Sequence, residues 1–177
     1  DLNVSQLVSL NRVFIALGSN VGNWKANFNQ CLVELNKISF LVAIGNIYVS
    51  KPYGLRKQND FYNTAIEIKT SNTPVQLINK MQLIEKKLYK KKIIKNGPRR
   101  IDIDIIFFNS LKILHNNLII PHPRVTDRDF VLFPLCDIDP FFIHPISKKS
   151  IKKLKEENKK SYIKRKITQP IDSFAIY

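Results

Sequence analysis

The 177-residue sequence predicts an α+β fold whose core elements follow the order strand, helix, strand, strand, helix, strand. Two observations predict it. Apolar runs rich in β-branched residues alternate with two stretches of helical periodicity, and turn residues separate these segments. This βαββαβ order is the ferredoxin-like arrangement, which predicts an antiparallel-rich sheet with helices packed on its faces.

The first four elements lie between residues 13 and 70. Residues 13–17 are apolar and end in a Gly-Ser-Asn turn, which indicates a buried strand. Residues 24–38 carry apolar side chains at helical spacing, and residues 41–49 indicate a second strand. Residues 61–70 alternate between polar and apolar side chains in their second half, which predicts a third strand with one solvated face.

The remaining elements are a helix, a strand and a C-terminal region. Thr73 and Pro74 supply the cap and the first turn of a helix. Residues 101–108 predict the fourth strand. Residues 121–145 are rich in proline and aromatic residues, and a charged helix is expected over residues 148–160. We place one domain at residues 12–160, with terminal extensions at 1–11 and 161–177.

The composition is that of a soluble globular domain with a net charge of +15. No apolar run could span a bilayer, and the first residues show no signal-peptide pattern, so we expect no membrane contact. The scarcity of cysteine suits a reducing cytosol, and we also expect a monomer. Cys31 and Cys136 are expected to be free thiols rather than a disulfide or a metal site.

Residues 148–166 are basic and, with Tyr162, could bind nucleic acid, but a solvated lysine-rich surface is favoured.

Residues 97–106 carry the strongest chemical signal. Residues two apart on a strand face the same side, so Asp102 and Asp104 are expected to point together. Two adjacent carboxylates suit Mg²⁺ and, through it, the phosphates of a nucleotide. An Asp-x-Asp pair taken alone is more often a solvated strand face paired with lysine or arginine.

Three neighbouring features favour a site for phosphoryl transfer. The strand is otherwise apolar, a Gly-Pro turn places Arg99 and Arg100 beside the acids, and a run of lysines precedes the strand. Metal ions and basic side chains are what phosphoryl transfer requires. The sequence has no glycine-rich phosphate loop, so these groups would have to hold the phosphates.

Two further constellations suit a planar ring. Tyr53 lies in a Pro-Tyr-Gly segment upstream of Phe61 and Asn63, which could stack on a heterocycle and bind its edge. His122 and Arg128, close to Phe130, could hold phosphate beside a ring. On local evidence alone, the favoured interpretation of the first group is a core phenylalanine with a turn asparagine. The favoured interpretation of the second group is a proline-rich surface loop.

Taken together, the motifs resemble the 6-hydroxymethyl-7,8-dihydropterin pyrophosphokinase family of the folate pathway, over residues 13–145. The matching segments are FIALGSNVGN at 14–23, KPYG at 51–54, QNDFYNTAIEI at 58–68, MQLIE at 81–85, NGPRRIDIDIIFF at 96–108 and IPHPRVTDRDFVLFPL at 120–135.

The resemblance implies a ferredoxin-like fold and transfer of a pyrophosphoryl group from ATP, with two Mg²⁺ ions, to the hydroxymethyl group of a reduced pterin, releasing AMP. It implies that Asp102 and Asp104 hold both metals and that Arg99 contacts the phosphates. The other implied roles are a pterin site of Tyr53, Phe61, Asn63 and Phe130, an ATP site of Gln82, Glu85, Lys95, His122 and Arg128, and catalytic Lys90 and Lys92.

The loop before the Gly-Pro turn departs from the family pattern. Lys90 and Lys92 stand where the family has Arg-x-Arg, and Lys95-Asn96 replaces Arg-Trp. Lysine keeps the charge but loses the planar fork that binds phosphate through two hydrogen bonds. We expect an active enzyme with slower turnover or looser loop closure. A pseudoenzyme that binds ATP or pterin is the alternative, which kinetics would distinguish.

Overall fold

A computed structural model describes residues 10–54, 57–89, 97–115 and 117–168. The elements in chain order are β1 (Asn11–Ser19), α1 (Trp24–Asn36), β2 (Phe40–Ile44), β3 (Ile47–Ser50), β4 (Phe61–Thr70), α2 (Pro74–Leu88), β5 (Asp102–Phe108), β6 (Ile113–His115), β7 (Leu118–Ile120), α3 (Asp129–Ile138), α4 (Ile151–Glu157) and β8 (Ile163–Ile167). A 3₁₀ turn, Val125–Asp127, precedes α3.

The main sheet has the strand order β5-β1-β4-β3-β8, and β2 also pairs with β4. Every pairing in this sheet is antiparallel. The strands of the predicted core thus occupy the order fourth, first, third, second across the sheet, which confirms the ferredoxin-like prediction. Strands β6 and β7 form a separate hairpin.

The two helices of the predicted core begin where their capping residues indicate. The Asn23 side chain accepts a hydrogen bond from the Ala26 amide at the start of α1. At the start of α2, Thr73 and Gln76 form a reciprocal capping box, and proline occupies the first turn. These side chains satisfy amide groups that a helix start otherwise leaves unpaired.

Hydrophobic cores lie on both faces of the sheet. Helices α1 and α2 pack on one face, where Phe28, Leu77 and Ile15 of β1 belong to one buried cluster. Helices α3 and α4 cover the other face, where Leu132 packs near Phe14 and Phe107.

Both cysteines are free thiols, as predicted, and burial raises the pKa of Cys31. None of the helices in the described ranges combines the length and apolar character needed to cross a membrane.

The predicted strand over residues 41–49 is in fact two strands, separated at Gly45. The Gly45 amide bonds to the Ala65 carbonyl, while the Asn46 amide donates to the carboxylate of Asp137 in α3. A Cβ atom at position 45 would lie 2.6 Å from the carbonyl oxygen of Pro134, so the close approach of α3 requires glycine here.

The C-terminal third departs most from prediction. The proline-rich region contains α3, which accommodates Pro134 within the helix. The charged helix is shorter than expected and spans only Ile151–Glu157. Strand β8 pairs with β3 and lies within residues 161–177, so the sheet extends beyond the domain boundary placed at residue 160.

Candidate active site

A cavity opens at the ends of β1 and β5. In the strand register, Ala16 lies opposite Asp104 and Gly18 lies opposite Asp102. Directly opposed residues share a face of the sheet, so each carboxylate has a small neighbour on β1. This pairing leaves space above the sheet, and the cavity volume is about 150 Å³.

The cavity brings together residues from all three constellations of the sequence. Asp102 and Asp104 both line it, as their two-residue spacing predicts. The other sequence-predicted residues in its lining are Tyr53, Phe61, Asn63, Arg99, Arg128 and Phe130. Segments far apart in the chain therefore converge on one site.

The two carboxylates are half-buried, and their negative charges repel each other. Burial, followed by repulsion from Asp104, raises the pKa of Asp102 to about 7, against the opposing effect of Arg99 and Arg128. Burial also raises the pKa of Asp104, which the same arginines oppose. Within the described residues neither carboxylate forms a direct ion pair with a basic side chain. The negative charge of the pair is therefore available to a cation.

The donor set fits magnesium. Two carboxylates supply only oxygen atoms, which a hard divalent cation prefers. No cluster of three or more metal-binding side chains occurs in the described part of the chain. The remaining ligands would therefore have to come from water and from phosphate oxygens, which is the usual situation for Mg²⁺ at a nucleotide site.

The two arginines of the cavity each have a donor without a partner among the described residues. These donors are the buried Nη1 of Arg99 and Nε of Arg128, for which the described part of the chain supplies no hydrogen-bond acceptor. Asn20 anchors the backbone of Arg99, because the Arg99 amide donates to Asn20 Oδ1 at 2.7 Å and the Asn20 amide donates to the Arg99 carbonyl at 2.8 Å. Buried guanidinium donors without partners favour an anionic ligand.

The aromatic side of the cavity is tied to Arg128 and to its neighbour Arg124. The Arg128 guanidinium lies 4.9 Å from the Tyr53 ring centroid and 5.9 Å from that of Phe130. Arg124 donates a hydrogen bond to the Tyr53 hydroxyl. These contacts hold Tyr53 and Phe130 close to the positive charge that faces the acid pair.

The Asn63 side chain is held by hydrogen bonds that its amide nitrogen donates. Its Nδ2 atom donates to the Tyr48 carbonyl and to Ser50 Oγ, both at 2.9 Å. These bonds use the amide nitrogen inside the protein and leave Oδ1 as an acceptor for a ligand. Asn63 is therefore suited to bind the donor edge of a ring.

Gln82, Glu85 and His122 do not line the cavity. Gln82 is exposed on α2. Burial and the charges of Asp102 and Asp104 raise the pKa of Glu85 to about 8. Burial, aided by Arg128 and Arg124, lowers the pKa of His122 to about 4. Lys90, Lys92 and Lys95 lie outside the described residues.

The basic C-terminal segment is partly neutralised by acidic neighbours. Lys149 and Lys153 approach Glu157, and Lys160 approaches Asp127. Lys164 pairs with Asp60 at 2.8 Å. These surface pairs favour the solvated-surface interpretation of the segment over nucleic-acid binding.

The acid pair should make the metal-free protein less stable as the pH rises. The pKa of Asp102 is about 7 in the fold, against an ordinary value of 3.8. The unfolded chain therefore releases this proton at a lower pH than the folded protein does. The free energy of unfolding decreases as the pH rises between these two pKa values. Asp102→Asn should gain stability relative to wild type over this range. Urea unfolding in a chelator at about pH 5 and about pH 8 measures the difference, and a difference that shrank with rising pH would contradict this assignment.

The chain matches the family model described as 7,8-dihydro-6-hydroxymethylpterin-pyrophosphokinase over residues 14–140. It is 38% identical to the 2-amino-4-hydroxy-6-hydroxymethyldihydropteridine pyrophosphokinase of Aquifex aeolicus, covering 82% of this chain and 91% of that protein. The corresponding Bacillus subtilis protein is 39% identical, over 72% of this chain and 78% of the relative.

Longer proteins are also similar to the chain. It is 42% identical to Folic acid synthesis protein FOL1 of Dictyostelium discoideum over 76% of its own length, and this match spans 20% of the longer protein. The crystal structure of wild-type Plasmodium falciparum HPPK-DHPS superposes with a TM-score of 0.68 at 17% identity, covering 84% of this chain and 44% of that one. This last likeness supports the fold.

Proposed function

Because the chain belongs to the 7,8-dihydro-6-hydroxymethylpterin-pyrophosphokinase family, we propose that it transfers the pyrophosphoryl group of ATP to the hydroxymethyl group of a reduced pterin. The observation that supports this most is the composition of one cavity. Its lining contains an acid pair, two arginines, two phenylalanines and a fixed asparagine. A phosphate site and a ring site are therefore adjacent.

The phosphate half of the cavity would bind Mg-ATP. Asp102 and Asp104 would hold two Mg²⁺ ions, which would neutralise charge on the triphosphate and orient it. Arg99 and Arg128 would donate to phosphate oxygens the N–H groups that have no partner among the described residues. Gln82, Glu85 and His122 would lie along the nucleotide, and Lys90, Lys92 and Lys95 would add positive charge from the preceding loop.

The ring half would bind the pterin. Phe61 and Phe130 would stack on its faces, and Asn63 Oδ1 and the backbone near Tyr53 would bind its edge. The hydroxymethyl oxygen would then attack the β-phosphorus of ATP in line and lose its proton to solvent, and the bond from that phosphorus to the α-phosphate oxygen would break to release AMP. Positioning and charge stabilisation account for catalysis without a strong general base.

An assay of AMP release tests the proposal. The protein is incubated with ATP, Mg²⁺ and 6-hydroxymethyl-7,8-dihydropterin, with a parallel reaction that lacks the pterin. We expect one AMP per pterin diphosphate and no AMP without pterin. Folded protein that released no pterin-dependent AMP, or that formed ADP instead, would refute the assignment. The cytoplasmic location and monomeric state stay predictions, which fractionation and analytical ultracentrifugation would test.

A further inference from the structure

We propose that Tyr162, which immediately precedes strand β8, is a positioning residue for the pterin site. It lies outside the cavity lining and contacts two residues of that lining, Tyr53 and Phe130. This inference rests on the proposed function, because it assigns a role in holding the rings that would contact the pterin.

The backbone of Tyr162 is fastened to the residue that precedes Phe130. Asp129 is 5% exposed, and its Oδ2 atom accepts hydrogen bonds from the amides of Tyr162 and Ile163 at 2.9 and 3.1 Å. Its Oδ1 atom accepts from the Phe130 amide at 2.8 Å. One carboxylate therefore links the start of α3 to the start of β8. Hydrogen bonds from backbone amides to a carboxylate are among the stronger hydrogen bonds in proteins.

A second backbone bond connects Tyr162 to the loop that carries Tyr53. The Lys51 amide donates to the Tyr162 carbonyl at 3.0 Å, two residues before Tyr53. The Lys51 ammonium also lies 5.7 Å from the Tyr162 ring centroid. The loop that carries Tyr53 and the helix start that carries Phe130 are thus tied to the same short segment.

The Tyr162 ring contacts both Phe130 and Tyr53. Its centroid lies 5.8 Å from that of Phe130 at an interplanar angle of 85°. It lies 5.6 Å from the centroid of Tyr53 at 64°. Both geometries are edge-to-face contacts, which favour one orientation of each partner ring. Phe130 and Tyr53 are therefore held in place before a ligand enters, which reduces the entropy lost on binding.

The test compares pterin binding with nucleotide binding in the full chain. The variants are Tyr162→Leu, which removes the ring, Tyr162→Phe, which keeps it, and Phe141→Leu, a matched change at an aromatic residue that is 74% exposed. Pterin affinity is measured by the fluorescence of 6-hydroxymethylpterin in the presence of Mg²⁺ and α,β-methylene-ATP. Affinity for the nucleotide analogue alone is measured by calorimetry.

We expect Tyr162→Leu to weaken pterin binding about tenfold, because two ring contacts are lost. Nucleotide affinity should be unchanged, and Tyr162→Phe and Phe141→Leu should bind pterin as wild type does. Wild-type pterin affinity in Tyr162→Leu, equal weakening in Tyr162→Phe or Phe141→Leu, or a parallel loss of nucleotide affinity would overturn the inference. If the wild-type protein bound no pterin, the proposed function itself would fail. If the wild-type protein bound pterin and Tyr162→Leu bound it equally well, only the role of Tyr162 would fail.

Discussion

Asp104→Asn is expected to lower kcat/KM for pyrophosphoryl transfer by about 10³-fold, since a ligand that helps hold the metal ions is worth several kcal/mol of transition-state stabilisation. Asparagine keeps the size of the side chain and removes its charge, so the cavity should keep its shape. Asp102→Asn should have a similar effect, because both carboxylates line the same cavity. Steady-state AMP formation with Mg-ATP and the reduced pterin measures the loss.

Asp127→Asn is the matched control for this pair. Asp127 is exposed and its carboxylate lies 3.6 Å from the Lys160 ammonium, outside the cavity lining. The Asp127→Asn variant should retain wild-type turnover. Near-normal activity in either cavity variant, or an equal loss in the control, would rule out the metal-binding role. Circular dichroism separates loss of activity from loss of folding.

Arg99→Met is expected to lower kcat about 10²-fold, the usual cost of removing one preorganised donor to a developing charge. The buried Nη1 of Arg99 has no partner in the described protein, and its backbone is held in place by Asn20. The donor is therefore prepared for a phosphate oxygen. Arg99→Lys should retain part of the activity, because lysine keeps the charge but not the planar fork.

The neighbouring Arg100→Met variant is the control for Arg99. Arg100 follows the same Gly-Pro turn, but it does not line the cavity. The same kinetic assay should show little change for this variant. If Arg99→Met retained wild-type kcat, or if both arginine variants lost activity equally, the phosphate-contact role of Arg99 would be excluded.

The geometry of the acid pair could be predicted because it is local. The alternation of a strand alone places Asp102 and Asp104 on one face. The cavity beside them could not be predicted in the same way, because it depends on Ala16 and Gly18 lying opposite the acids across two strands. That register is a long-range property that no short segment contains.

Other features of the C-terminal third were missed for related reasons. Residues 129–138 form a helix around Pro134, although proline is disfavoured inside helices. Tertiary packing overrides that preference, since Leu132 and Leu135 of this helix are buried in the second core. The sequence of β8 is dominated by Lys164, Arg165 and Lys166, which gives no apolar strand signal.

Positioning residues were missed because their roles come only from contacts. Asn20 belongs to a turn that carries almost no information by itself, yet it holds Arg99 through two hydrogen bonds. Tyr162 stood out only as a tyrosine within a basic segment. Its contacts with Tyr53 and Phe130 join residues more than thirty positions apart, and spacing along the sequence cannot show such contacts.

Manganese binding followed by electron paramagnetic resonance tests the metal assignment most directly, since Mn²⁺ can replace Mg²⁺ at oxygen-ligand sites. With α,β-methylene-ATP and the pterin present, we expect two spin-coupled Mn²⁺ ions per wild-type chain and loss of the coupled signal in Asp104→Asn. A wild-type chain that bound no more Mn²⁺ than the free nucleotide does, or an Asp104→Asn spectrum identical to wild type, would contradict the account.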